Sequence, residues 1–165
     1  MIKYIMKFDG TDYRFLSNFY PSKIVLDKLP LDKEVTEPLS YATVEHAYQA
    51  AKTFDFNERE EIRTASTPGV TKGLGKRVTL REDWEEIKGK VMFELLVRKF
   101  SANHPELQQK LLDTGDDQLV EGNTWHDNYF GVCTCIACGS VGKNVLGKLL
   151  MKVRKELKEI EGWQK

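Results

Sequence analysis

Hydrophobic positions in this chain recur with two different periods. Near its start Ile2, Tyr4, Met6 and Phe8 alternate with Lys3, Ile5 and Lys7, the pattern of an edge strand. "KIVLDKLPL" reads as a second short strand ended by Pro30, and "DQLVEGN" as another further along. Between the first two lies "DGTDYRFLSNFYPS", an aromatic-rich loop that Pro21 keeps from extending. The polar "DKEVTEPLS" reads as a loop as well.

The rest follows a helical period. In "YATVEHAYQAAKTF", Thr43 is placed to cap a helix with Glu45 in its first turn. "NEREEIRTAS" predicts a short helix, and "TPGVTKGLGKRV" a turn or a short helix started by Pro68. Trp84 opens a long amphipathic pattern through Ile87, Val91 and Leu95. "HPELQQKLLDTG" is a compact helix with Gly115 just beyond its end. Asn144 is placed to cap a last helix, which buries Val145, Leu149, Leu150, Val153, Leu157 and Ile160 and exposes Lys148, Lys152 and Lys155. These elements predict an α+β fold, mostly α-helical with a small β-sheet, as a single domain over residues 1–165.

Composition narrows the class. A chain of 165 residues, 41% of them hydrophobic, buries about two-thirds of its extended surface and needs no disulfide staples. Lys and Arg number 25, as do Asp and Glu. That balance argues against a dedicated duplex-DNA binder while leaving room for a locally basic pocket. "MIKYIMKFDG" is too polar and short for a signal peptide, and no apolar run reaches membrane-spanning length. The expectation is a cytoplasmic protein with reduced thiols and no membrane partner.

Three stretches carry candidate chemistry. On an ideal helix Glu45 and Lys52 lie about 20° apart and about 10.5 Å along the axis, at the edge of an arc formed by Val44, Ala47, Tyr48 and Ala51. Such a pair can face one cleft, or it can be two ordinary solvated edge charges. The spacing does not choose. "EGNTWHDNYFG" sets Trp125, His126, Asp127, Asn128, Tyr129 and Phe130 between two glycines. This is either a stacking platform for a planar ligand or a loop whose acid and amide cap a turn. Three thiolates from Cys133, Cys135 and Cys138 with the imidazole of His126 would satisfy tetrahedral zinc. C-x-C-x2-C is not the paired-knuckle spacing, however, so no metal and no cofactor is assigned, and zinc at this cluster stays open. "TPGVTKGLGKR" matches no phosphate-loop motif and reads as an exposed basic turn, although Lys72, Lys76 and Arg77 can meet phosphates.

Taken in order, "FLSNFYPS", "TVEHAYQAAK", "LLDTGDDQLVEGN", "WHDNYFG" and "GKNVLGKLLMKVRKEL" resemble the NADAR, or YbiA-like, family over almost the whole chain, from about Phe15 to Leu157. The resemblance implies a largely helical α+β fold and an N-glycosidase. Its implied substrates are ADP-ribose joined to guanine in nucleic acid, with release of ADP-ribose, or alternatively phosphorylated intermediates of riboflavin synthesis. A non-catalytic module that holds ADP-ribose is the further alternative. The partner expected is thus an ADP-ribose-containing substrate, ADP-ribosylated DNA or a nucleotide. The resemblance also marks Lys52, Glu45 and Asp127 as positions that line the pocket, which makes them the catalytic candidates.

Side-chain chemistry then distributes the roles. Cleaving a C–N glycosidic bond develops oxocarbenium character that a carboxylate stabilises. A desolvated Lys52 can capture the sugar as a Schiff base, with Glu45 and Asp127 sharing proton transfer and orientation of the ribose. Phe19, Tyr48, Trp84 and Trp125 are candidates to stack the base or adenine, and Asn18 and Asn128 to bond ribose hydroxyls or base edges.

Overall fold

The computed structural model describes residues 3–8, 12–33 and 35–162, the side chains of residues 161 and 162 excepted. In chain order its elements are β1 (Tyr4–Met6), a 3-10 turn (Arg14–Leu16), β2 (Ile24–Leu26), β3 (Leu39–Tyr41), α1 (Val44–Ala50), α2 (Phe56–Arg63), α3 (Pro68–Leu74), α4 (Trp84–Lys99), α5 (Pro105–Asp113), β4 (Gln118–Val120), β5 (Gly122–Asn123), β6 (Val132–Cys133) and α6 (Val145–Gly162). The α+β class is as the periods predict. The described strands form three separate two-stranded pairs, where the sequence pattern implies one small sheet. None of the described helices is long and apolar enough to cross a membrane. The chain divides into two units, residues 18–99 and residues 1–17 with 100–165.

In the unit of residues 18–99, β2 and β3 pair antiparallel with Ile24 opposite Tyr41 and Leu26 opposite Leu39. Ile24, Leu26 and Tyr41 are buried while Val25 faces out, the alternation of a half-covered ribbon. β3 occupies the end of a segment whose polarity predicts a loop; three residues are too few to register against Glu37 and Pro38 before them. Local chemistry starts each of the next three helices. Thr43, Asp55 and Thr67 accept with their side chains from the N–H groups of His46, Glu58 and Val70, which satisfies donors that a helix start leaves open. Pro68 takes the first position of α3, where its missing N–H costs nothing. α4 buries Trp84, Val91, Met92, Leu95 and Leu96, and with them Lys99.

In the other unit β1 lies parallel to β4, with Ile5 opposite Leu119, both buried. This corrects the face predicted for β1: Tyr4 is 68% and Met6 51% exposed while Ile5 is inside. Ile2 lies outside the described residues. Phe8 is buried as well, three positions from Ile5, which plain alternation forbids. The left-handed backbone of Lys7 (φ 72°) resets the alternation between them. α5 ends as predicted, with Gly115 in the left-handed region (φ 60°) donating its N–H to Leu112. Asn144 departs from its expected side-chain cap. Its side chain accepts from Glu121 N–H and donates to the Leu119 carbonyl, stitching the β4–β5 edge to the start of α6. α6 buries Leu150 and Val153 and exposes the three lysines as predicted; it also buries Leu146 and Arg154, while Val145, Leu149 and Leu157, expected inside, are half-buried and Ile160 is 61% exposed in the last turns.

Candidate active site

α1 is buried on every side: Val44, Glu45, His46, Ala47, Tyr48, Gln49 and Ala50 all lie inside. A polar residue in such a helix must find partners, because burying it unpaired costs about 1–3 kcal/mol. His46 lies between the Thr43 hydroxyl, 2.8 Å from Nδ1, and the Ala65 carbonyl, 3.1 Å from Nε2. Glu45 is only 5% exposed and accepts from Gln49 Nε2 at 2.7 Å, one helical turn on. Glu45 is therefore no edge charge on an amphipathic face.

Lys52 also differs from the helical expectation. α1 stops at Ala50, Ala51 caps it, and Lys52 lies in the turn beyond, its N–H reaching back to Gln49 as the last turn tightens. The Lys52 carbonyl is then taken by the N–H of Arg81. That exit sends the ammonium toward the end of α3, where Nζ donates to the Gly75 carbonyl at 3.3 Å. The carbonyl end of a helix carries partial negative charge, so the cation is favoured there. Nζ also lies 5.9 Å from the Tyr48 ring centre and 6.0 Å from that of Trp84. The two buried rings meet at 5.1 Å, tilted 58°. Burial pushes the Lys52 pKa below the usual 10.5; Glu45 pulls it back up, and Lys72 and Lys76 lower it further. The basic turn of the sequence thus lies within electrostatic reach of Lys52.

Two groups around this lysine escape a reading of the sequence. Gly75 permits a close approach that a side chain would block: a Cβ there would sit 1.9 Å from Gln49 Oε1. Gln49, in turn, holds Glu45 with its amide nitrogen while its buried Oε1 has no hydrogen-bond partner among the described residues. Only the i, i+4 spacing of Glu45 and Gln49 signals the pair in advance.

Asn18 accepts with its backbone carbonyl from Glu45 N–H, donates Nδ2 to Met92 Sδ at 3.5 Å, and leaves Oδ1 buried without a partner among the described residues. Phe19 is half-exposed beside it in sequence. Lys52, Glu45, Tyr48 and Trp84 thus form one cluster, with Asn18 joined to it through Glu45, and all of them belong to the unit of residues 18–99. A cavity of about 940 Å3 in this unit is lined by Asp32, Phe54, Arg59 and Arg81 among others, and by none of the predicted site residues. There Asp32 bridges Arg59 at 2.7 Å and Arg81 at 3.1 Å.

Asp127, Trp125 and Asn128 belong to the other unit. Asn123, buried in β5, organises their loop: Oδ1 accepts from the N–H of Trp125 and of Asp127, and Nδ2 donates to the Asp127 carbonyl. Asp127 Oδ1 accepts from the N–H groups of Tyr129 and Phe130 at 3.1 and 2.9 Å. One oxygen of this acid therefore ties the turn, and Oδ2 forms no hydrogen bond among the described residues. Trp125 is 52% exposed, and Asn128 is exposed with its Nδ2 directed at Cys138 Sγ.

Residues 4–158 match the model of the NADAR domain. An N-glycosidase of Nostoc punctiforme is 36% identical over 155 residues, which cover 90% of this chain and 88% of that protein. The N-glycosidase YbiA of Escherichia coli is 38% identical over 148 residues, covering 88% and 82%. The NMR structure of E. coli YbiA superposes with a TM-score of 0.79 at 35% identity, covering all of this chain and 90% of that one. A riboflavin biosynthesis protein of Vibrio vulnificus is 32% identical over 150 residues, 90% of this chain but 36% of that longer protein. With this match running from β1 into α6, the chain is an enzyme of the NADAR domain family.

Proposed function

We propose that this N-glycosidase hydrolyses the bond between ADP-ribose and guanine in nucleic acid, with Lys52, Glu45 and Asp127 as its catalytic residues. The observation that carries the reading is the state of Lys52: an amine whose affinity for a proton is reduced by burial, set beside two rings and a buried carboxylate. A lysine must lose its proton to act as a nucleophile, and desolvation makes that loss easier than for an exposed lysine.

In this mechanism the Lys52 amine attacks the anomeric carbon of the ribose. The bond from that carbon to the guanine nitrogen breaks, the electron pair leaves with the base, and an acid returns a proton to the base. The adduct first formed is a closed-ring glycosylamine. Once its nitrogen has lost a proton, the nitrogen lone pair expels the ring oxygen, which takes up a proton as the C1–O bond breaks, and the ring-opened adduct is an iminium on Lys52. Water adds to it and expels free ADP-ribose, restoring the amine. Glu45, held by Gln49, stabilises positive charge at the sugar carbon, and Asp127 exchanges protons with the base or the incoming water. Tyr48 and Trp84 supply aromatic faces for a planar ring, and Phe19 and Trp125 are the further stacking candidates. Asn18 Oδ1, buried and without a partner among the described residues, accepts from a ribose hydroxyl or a base N–H, as Asn128 does from its exposed position. Lys72 and Lys76 offer the diphosphate a positive field. The partner is an ADP-ribosylated DNA or nucleotide, and the reaction is placed in the cytoplasm.

The test is release of ADP-ribose from an oligonucleotide carrying ADP-ribosylguanine, with borohydride added during turnover. Free ADP-ribose together with a reduced adduct on a peptide containing Lys52 supports the proposal. Release without any adduct removes the covalent step. Tight ADP-ribose binding without release makes the protein a reader. The name of the Vibrio relative supports a second reading, hydrolysis of a phosphorylated riboflavin-pathway intermediate. Ribose 5-phosphate released from that compound, with the oligonucleotide left intact, would select it.

A further inference from the structure

Outside the proposed chemistry lies a second set of reactive groups, in the loop joining β5 to α6. Cys133 ends β6, buried, its N–H donating to the Val141 carbonyl. Beyond it, Cys138 and Gly139 both donate their N–H groups to the Cys135 carbonyl, closing a tight turn that brings Cys135 and Cys138 to one side. Gly139 and Ser140 follow with left-handed backbones, both near φ 61°. Facing this turn, His126 holds a left-handed backbone of its own (φ 65°), uncommon for a residue with a side chain. It is kept there by Asn123 Oδ1, which accepts from the residues on either side of it.

The result is convergence. His126 Nδ1 lies 3.2 Å from Cys138 Sγ, 3.6 Å from Cys135 Sγ and 3.9 Å from Cys133 Sγ. All four donor atoms fall within 4.8 Å of one another. Bonds of about 2.3 Å to sulfur and about 2.05 Å to nitrogen at tetrahedral angles put nitrogen about 3.5 Å from each sulfur and the sulfurs about 3.8 Å apart. The three nitrogen–sulfur separations straddle that value. Nothing in packing requires three thiols and an imidazole to point at one spot from four places in the chain.

We propose that His126, Cys133, Cys135 and Cys138 bind one zinc ion in a closed, tetrahedral, structural site. Three thiolates and an imidazole select a soft, four-coordinate metal, and four protein ligands leave no position for water, so the ion does no chemistry of its own. Asn128 Nδ2, 3.8 Å from Cys138 Sγ, is the outer donor that orients a thiolate ligand. The metal cross-links residue 126 to residues 133, 135 and 138. It thereby pins the turn that presents Trp125, Asp127 and Asn128.

This assignment stands whether or not the enzyme acts on ADP-ribosylguanine, because its readout is metal. Full-length protein produced without added zinc and purified under reductant should carry about one zinc per chain by elemental analysis, as a closed four-ligand site does. Cys135→Ser and Cys138→Ser should reduce it to background. Because a variant that fails to fold would also lose its metal, wild-type protein stripped by a chelator is also reloaded with cobalt(II). Thiolate-to-cobalt charge transfer and intense visible bands of a tetrahedral centre should then appear and vanish on adding zinc. Stripped protein should melt lower and be cut first between residues 124 and 139. Reduced wild-type protein that takes up neither ion, with its three thiols reacting equally fast with and without zinc, would overturn the proposal. So would iron with an iron–sulfur chromophore in place of zinc.

Discussion

The surroundings of Lys52 and the loop from Asn123 to Val141 bring functional groups together by opposite means. Around Lys52 the work is done by packing. A helix buried on all faces carries Glu45 and Gln49 inward, Gly75 admits their approach, and the lysine exits at the end of another helix. The Asn123–Val141 loop has almost no apolar interior. It is shaped by side-chain bonds to nearby backbone, from Asn123 and Asp127, and by three left-handed residues. A group enclosed by packing has its chemistry altered by desolvation. A group held by turn chemistry keeps its exposure and gains only orientation. The first arrangement suits a nucleophile, the second a positioned acid or a metal ligand.

The contrast can be broken by substitution. Its largest test is Lys52→Ala, which should lower kcat by about 10²–10⁴-fold, the range typical of a lost proton-transfer group, and more if the covalent route holds. In the unaltered enzyme, activity should rise with pH through an inflection below 10.5, because burial favours the neutral amine that attacks. An inflection at the ordinary lysine value would mean that burial does not tune the residue.

Lys99 separates burial from catalysis. It is wholly buried, and desolvation brings its pKa to about 7 from 10.5. Between those values the unfolded chain binds a proton that the folded one does not, so stability should rise with pH across that window, by up to about 1.4 kcal/mol per unit. Below about pH 7 the full penalty is present. Urea unfolding at several pH values reads the slope, and Lys99→Met should remove it.

Gly75→Ala sharpens the packing side. Its Cβ would meet Gln49 Oε1 at 1.9 Å and Cδ at 2.6 Å, and overpacking of this kind costs about 1–3 kcal/mol. A lower melting temperature together with reduced turnover is expected, since Gln49 cannot give way without releasing Glu45. An unchanged melting temperature would show that the close approach is not needed.

On the loop the smallest effect on stability is expected, and it should separate from the effect on turnover. Asp127→Ala removes the acceptor for two backbone N–H groups and should cost about 1 kcal/mol. Asp127→Asn keeps an acceptor oxygen and should leave the unfolding free energy within about 0.5 kcal/mol of wild type. Turnover lost in both variants assigns the acid to chemistry. Turnover lost only with alanine assigns it to the turn.

Much of this was legible along the chain. Caps are read over three or four residues, so Thr43, Pro68 and Gly115 mark their helix ends without knowledge of the fold. Amphipathic periods place α4 and α6, although the outermost position of α6, Ile160, is exposed where the period alone puts it inside. Lys52, Glu45 and the Trp125–Asn128 segment stand out by residue type, and the family resemblance picks out the first two together with Asp127. β3 escapes because three residues give no period to detect, and the face of β1 is misread because Lys7 resets the alternation.

The chain by itself determined its helices, its turns and the inventory of amines, acids and thiols, because those depend on interactions within a few residues. Tertiary structure decided that Glu45 and Lys99 are buried, that Lys52 leaves its helix for the Gly75 carbonyl, and that four metal-binding atoms meet at one point. Burial depends on what distant segments bring alongside, and the convergence of the four donors on how the turns between residues 123 and 141 fold back on one another, neither of which a linear pattern records.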